Sequence, residues 1–151
     1  MKLLLSSLPP FDVDVDLPAG LRDIVDSGFC RVGGCVFFDS LKMNGDEIPG
    51  EEFIKSFYGD LSGYESSVNK IHIDNFCDVD VLQNSIRFAV RFEKEWGKSI
   101  ESPFVAIVSY DEDTEFGPSG TFQFHLRREN EIVFDPARIE SFANPVMMLV
   151  G

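Results

Sequence analysis

Carboxylates are the side chains this sequence supplies most freely for chemistry. It holds 26 Asp and Glu against 13 Lys and Arg, a net charge of −13 over 151 residues. They fall in runs. Asp12, Asp14 and Asp16 alternate with valines, so an extended backbone sets all three on one side about 6.6 Å apart, a spacing suited to a row of Lys or Arg. Asp111, Glu112, Asp113 and Glu115 form the densest patch and lead into Phe116, while Asp46-Glu47 and Glu51-Glu52 add two more pairs. The runs look unbalanced by bases. The expected partner-binding residues are therefore Asp12, Asp14, Asp16, Asp111, Glu112, Asp113, Glu115 and Phe116. Phe11 and Phe116, flanking acidic runs, are the expected exposed aromatic anchors.

Other chemistries fit these groups less well. The Asp12–Asp16 alternation matches the first, third and fifth positions of a calcium loop, but Leu17 stands where such a loop turns on Gly, and Asp23 where it ends on a bidentate Glu. Glycoside hydrolysis needs two carboxylates set apart by position, and no segment singles out two. The two histidines, His72 and His125, lie in apolar strand-like surroundings without a nucleophile beside them, so no catalytic residue is expected. Zinc needs three or four ligands, and no HExxH, CxxC or HxH spacing supplies them. Gly33-Gly34 and Gly117-Pro118-Ser119-Gly120 lack a phosphate-loop pattern and sit among acids that repel phosphate. No metal and no cofactor is expected. Cys30, Cys35 and Cys77, an odd set, read as free, partly buried thiols of a reducing compartment.

The charge also sorts the partners. A chain with pI near 4.4 cannot displace phosphate counterions, so nucleic acid and anionic membrane are disfavoured and a basic protein is favoured. The excess is uneven. Residues 1–60 hold 11 acids and 5 bases, residues 61–100 hold 6 and 5, and residues 101–151 hold 9 and 3, so the middle is expected to be nearly neutral. Mean hydropathy near zero, 44% hydrophobic residues and 26% charged residues suit one globular domain over residues 1–151. The opening Leu3-Leu4-Leu5 is too short for a secretory core, and a cytoplasmic address is expected.

These groups must be positioned by a mixture of short helices and strands. Residues 17–28 predict a helix with Asp16 as N-cap and Gly28 after its end. Residues 29–39 predict one long strand bent at Gly33-Gly34, and Asn44-Gly45 predicts a hairpin turn. Glu51–Tyr58 predicts a helix with Phe53, Ile54 and Phe57 facing the core, and residues 67–74 a strand. Residues 80–96 carry a stripe of Val81, Ser85, Phe88, Phe92 and Trp96, which predicts the main core helix, started by Asp78 or Asp80 and ended by Gly97. Residues 104–110 predict a central strand paired with residues 121–128 across the acidic loop, with Phe122 and Phe124 inward. Glu131–Phe134 predicts another strand, residues 135–142 a last helix, and Val146–Val150 a docked tail. The sum is an α+β fold, a mainly antiparallel sheet with about three to four helices packed on it.

In size, acidity, cytoplasmic look and lack of a catalytic constellation, the chain resembles bacterial immunity proteins, small inhibitors that neutralise a toxin. That resemblance implies an inhibitor whose acidic loops occupy the basic groove of a toxin or nuclease domain, and not an enzyme. Two other expectations stand beside it, namely a general adaptor domain using the same surface and a small hydrolase using paired carboxylates. The hydrolase reading calls for a pocket with a strongly shifted carboxyl group.

Overall fold

The computed structural model describes Asp12, Val13 and residues 15–151. Phe11, Asp14 and the opening leucines lie outside the described residues. Among the described residues, four α-helices and two antiparallel sheets form the α+β architecture that the pattern predicts.

Helix α1 (Ala19–Asp26) buries Leu21 and Val25, and Gly28 follows with φ +77°, the left-handed stop expected there. Its cap differs from expectation: Pro18 holds the N-cap position, and the Asp16 carboxylate accepts instead from Arg22 at 2.8 Å. The long bent strand is in fact a hairpin. β1 (Phe29–Val32) and β2 (Cys35–Phe38) pair in register Val32↔Cys35 and Phe29↔Phe38. Gly33 and Gly34 take φ +57° and +79°, the double positive φ that a tight two-residue turn requires and that two glycines supply without steric cost. Asn44-Gly45 does not turn a hairpin. The Asn44 side chain accepts from Asp46 N–H, and Glu47 accepts from the Asn44 N–H, a capping box around a 3₁₀ turn at Gly45–Glu47.

Helix α2 (Glu51–Tyr58) stops at Gly59, φ +83°, and turns Ile54 inward. Phe53 and Phe57 do not face the core; they stack on each other at 4.3 Å on the outside, Phe57 being 71% exposed. Much of the strand expected over 67–74 belongs elsewhere. Helix α3 (Leu61–Val68) occupies its start, with Asp60 accepting from Gly63 N–H at 2.7 Å, and only β3 (Ile71–His72) remains extended. Helix α4 (Val81–Ser99) is the core helix, burying Val81, Leu82, Ser85, Ile86, Phe88, Ala89, Phe92 and Trp96. It continues through Gly97, and Asp80 precedes it without a side-chain cap bond.

Strands β4 (Phe104–Asp111), β5 (Ser119–Leu126) and β6 (Val146–Val150) complete a sheet of order β3-β5-β4-β6, so β4 is central and the tail docks as its outer neighbour. Alternation turns Phe104, Ala106, Val108, Phe122 and Phe124 toward α4, where Phe92 meets six rings: Phe29, Phe38, Trp96, Phe104, Phe122 and Phe124. Glu131–Phe134 forms no strand. It lies instead beside Val105, His125, Met148 and Val150, lining an open hollow with them without adding to the ladder. Asp135 does cap the following turn, accepting from Ala137 N–H at 2.9 Å, but residues 136–141 wind as a 3₁₀ helix.

The hairpin and the main sheet are joined by side chains. Glu65 and Asn69, one turn apart on and just after α3, lie fully buried between β2 and β5. Glu65 Oε1 accepts Val36 N–H at 2.5 Å, and Oε2 accepts Leu126 N–H at 3.0 Å and the Arg128 guanidinium at 2.7 Å. Asn69 Oδ1 accepts Phe38 N–H, and its amide donates to the Val36 and Phe124 carbonyls. Two side chains thus stand in for a missing strand ladder. Burial pushes the Glu65 carboxyl above its ordinary value, against the pull of the two N–H donors and Arg128. The three cysteines are free, and burial pushes the Cys35 thiol up to about 12, with the Glu65 charge adding to the shift. Among the described residues no helix is long and apolar enough to cross a membrane.

His125 sits on the sheet face turned away from α4, 2% exposed, with Nδ1 at 2.7 Å from the Leu126 carbonyl. A carbonyl only accepts, so Nδ1 carries the hydrogen. Burial holds its pKa below the ordinary 6.5. Below about pH 6.5 the unfolded chain gains a proton that the folded chain resists, so this group's contribution is intact above that pH and shrinks as pH falls. Lowering the pH from 7.5 to 5.5 should therefore take up to about 1.4 kcal/mol of stability per pH unit more from the wild type than from His125→Gln, until the folded value is passed. Equal pH slopes would show that the folded chain protonates His125 freely.

Candidate functional site

The acidic loop is a built structure. It leaves β4 at Asp111, whose Oδ1 accepts Asp113 N–H at 3.2 Å and whose Oδ2 accepts the Asn144 amide at 3.1 Å. Thr114 donates its hydroxyl to the Gly117 carbonyl and accepts Phe116 N–H at 3.3 Å, while Gly117 takes φ +99° to close the turn. Held this way, Glu112, Asp113 and Glu115 are exposed, and Phe116 projects with 93% of its surface free.

The fold brings a second acidic segment to the same end. Asp74, in the 3₁₀ turn after β3, accepts Gly120 N–H at 2.9 Å and the Ser119 hydroxyl at 3.1 Å, which fastens that turn to the start of β5. Asp74, Cys77 and Asp78 form one wall of an open groove of about 620 Å³, and Thr114, Phe116 and Pro118 form the other. Asp80 is close enough to act on Cys77. Burial first, then Asp74, Asp78 and Asp80, push that thiol up, so it is a poor nucleophile. Burial, then Glu112, Asp111 and Asp113, likewise push the Tyr110 hydroxyl up. Seven carboxylates thus share one end of the molecule, and neither residues 71–86 nor residues 109–126 contain a Lys or Arg. Val79 and Phe76 add exposed apolar surface beside them.

Asp12 and Asp16 are placed differently. Asp16 pairs with Arg22, the Asp12 carbonyl accepts from Arg87 Nε at 3.0 Å, and Val13, Val15, Asp16 and Leu17 line a small hollow against Arg87, Arg91 and Lys94 of α4. Asp14 lies outside the described residues. The expectation that the acidic runs lack bases therefore fails for this stretch and stands for residues 111–115, which make no ion pair among the described residues. The near-neutral middle was misleading: its five bases fall outside residues 71–86, where Asp74, Asp78 and Asp80 stand alone, and a shorter counting window finds them. Among the described residues no group of three His, Cys, Asp or Glu side chains is arranged to hold a metal ion.

Fold and site together define an α+β protein with one acidic, aromatic-tipped end. The chain belongs to the family described as the "Uncharacterized protein PM0498 family", which it matches over residues 1–150. It is 32% identical over 135 residues to "Uncharacterized protein PM0498" of Pasteurella multocida (strain Pm70), covering 87% of this chain and 83% of that protein. No solved structure matches it.

Proposed function

We propose that this chain is an immunity-type inhibitor, an acidic protein that binds and blocks a basic toxin or nuclease domain. The observation that carries the reading is the gathering of Asp74, Asp78, Asp80, Asp111, Glu112, Asp113 and Glu115 around the projecting Phe116, with no base in either segment. Carboxylates on an ordered loop steer a cationic partner and align it, and an exposed aromatic side chain supplies the short-range anchor. Inhibition is steric: the loop fills a cationic substrate groove and excludes substrate. A paired-carboxylate hydrolase finds less support, since among the described residues the carboxyl with a shifted pKa, Glu65, is sealed between β2 and β5.

Growth gives the test. The product of the neighbouring upstream gene is expressed in a sensitive host with the wild-type chain or with the triple variant Glu112→Gln, Asp113→Asn, Glu115→Gln. These three residues are exposed and Asp111 and Asp74 are left to hold the loop, so the variant should fold normally. The wild type should restore growth and the variant should lose most of that protection. Equal rescue by both, or no toxicity to rescue, would count against the proposal.

A further inference from the structure

The two edges of the main sheet are treated in opposite ways. Along the outer edge of β5 every second residue is engaged: Gly120 N–H by Asp74, Phe122 by its pairing with Ile71 of β3, the Phe124 carbonyl by Asn69, and Leu126 N–H by Glu65. This edge is closed to any further strand. On β6, the register with β4 and the bonds between Phe104 and Gly151 turn residues 147, 149 and 151 toward β4. Val146, Met148 and Val150 therefore direct their N–H and C=O groups outward, and none of these is bonded by another group among the described residues. The strand Val-Met-Met-Leu-Val carries no charge, proline or bulge of the kind that blunts exposed edges, and the 136–141 turn that packs against it makes no hydrogen bond to its backbone among the described residues.

We propose that β6 is a strand-addition edge, and that its occupant is an extended segment of a protein partner, apolar along about five residues and bearing Lys or Arg where it passes the Asp111 end. The charge follows from position. Asn144, just before β6, bonds Asp111, so the edge begins beside the acidic loop. A strand added to β6 lies about 10 Å from β4, two strand spacings, within reach of a Lys or Arg side chain directed at Asp111 and Glu112. A second copy of this chain fits poorly. It brings another −13 charges, and a five-residue edge is far short of the roughly 20–30 residues a side that a stable dimer interface uses. Main-chain bonds to β6 would supply register and the acidic loop would supply selectivity. The inference rests on the acidic-end reading for the partner's charge, but not on the partner being a toxin.

The test uses the full chain labelled with ¹⁵N and two ten-residue peptides with the same Val-Thr alternation, one flanked by lysine pairs and one by glutamate pairs. In the free chain the amides of Val146, Met148 and Val150 should exchange with solvent while those of Gly120 and Leu126 are protected. The lysine-flanked peptide should slow exchange at the three β6 amides at least tenfold, and the glutamate-flanked one should not. Met148→Pro removes an outward N–H only, a change edge strands accept, and should abolish the effect; Val150→Lys should weaken it without altering the backbone. The proposal is overturned by β6 amides already protected in the free chain, by equal effects of the two peptides, by binding that survives Met148→Pro, or by protection that grows with protein concentration alone, which would mean self-pairing. Because no toxin enters this experiment, peptide binding can succeed where the growth assay fails, and the reverse.

Discussion

Glu65→Ala is expected to cost about 3–5 kcal/mol of stability, the range for removing one partner of a buried ion pair. Three groups lose their acceptor at once. Val36 N–H and Leu126 N–H are left in the protein interior, each at about 1–3 kcal/mol, and the Arg128 guanidinium, only 17% exposed, loses its carboxylate. Arg128 retains bonds to Ser62 and to the Gly34 carbonyl, which moderates the sum. The urea midpoint should fall steeply with an unchanged slope. The pair variant Glu65→Leu with Arg128→Met should lose about 1–3 kcal/mol less than the two single changes added, because no charge is then stranded. A fall under about 1 kcal/mol for Glu65→Ala would mean that Glu65 adds little to what apolar packing and Asn69 already supply between the hairpin and the sheet.

That joint is also where the sequence is hardest to read. A helix is recognised by an apolar stripe, and α3 buries Ser62, Glu65 and Ser66 instead, so its pattern is inverted. Asp60 as N-cap was the available cue. By contrast α4 and β4 were legible because their buried faces are long and apolar, and β5 because its alternation is nearly strict. Gly33-Gly34 misled for a local reason: a glycine pair serves a bulge or a two-residue turn equally well, and only pairing between Phe29 and Phe38 decides. Phe53 and Phe57 have core spacing, yet α2 spends Ile54 on its contact with the rest of the protein and leaves the rings stacked outside.

The site was half visible. Residues 111–116 carry their character in the chain itself, because acids and an aromatic side chain between two strands have little option but exposure. The contribution of Asp74, Asp78 and Asp80 depends on β3 pairing with β5, Ile71 with Phe122 and His72 with Thr121, a contact distant in sequence that places the turn after β3 against Ser119 and Gly120. The opposite holds for Asp16, whose neutralising base, Arg22, comes from the next helical turns of its own segment.

Electrostatic steering gives the second large effect. A cationic domain approaching seven carboxylates on one end should associate about 10–10³ times faster than a neutral pair, and lose most of that advantage as salt is raised. The direct measurement is the association rate of the chain with the product of the neighbouring upstream gene, at about 50 and about 500 mM salt, for wild type and for Glu112→Gln, Asp113→Asn, Glu115→Gln. The account predicts a wild-type rate that falls at least tenfold with salt and a variant that is slow at both. A rate indifferent to salt and to the three substitutions would contradict it.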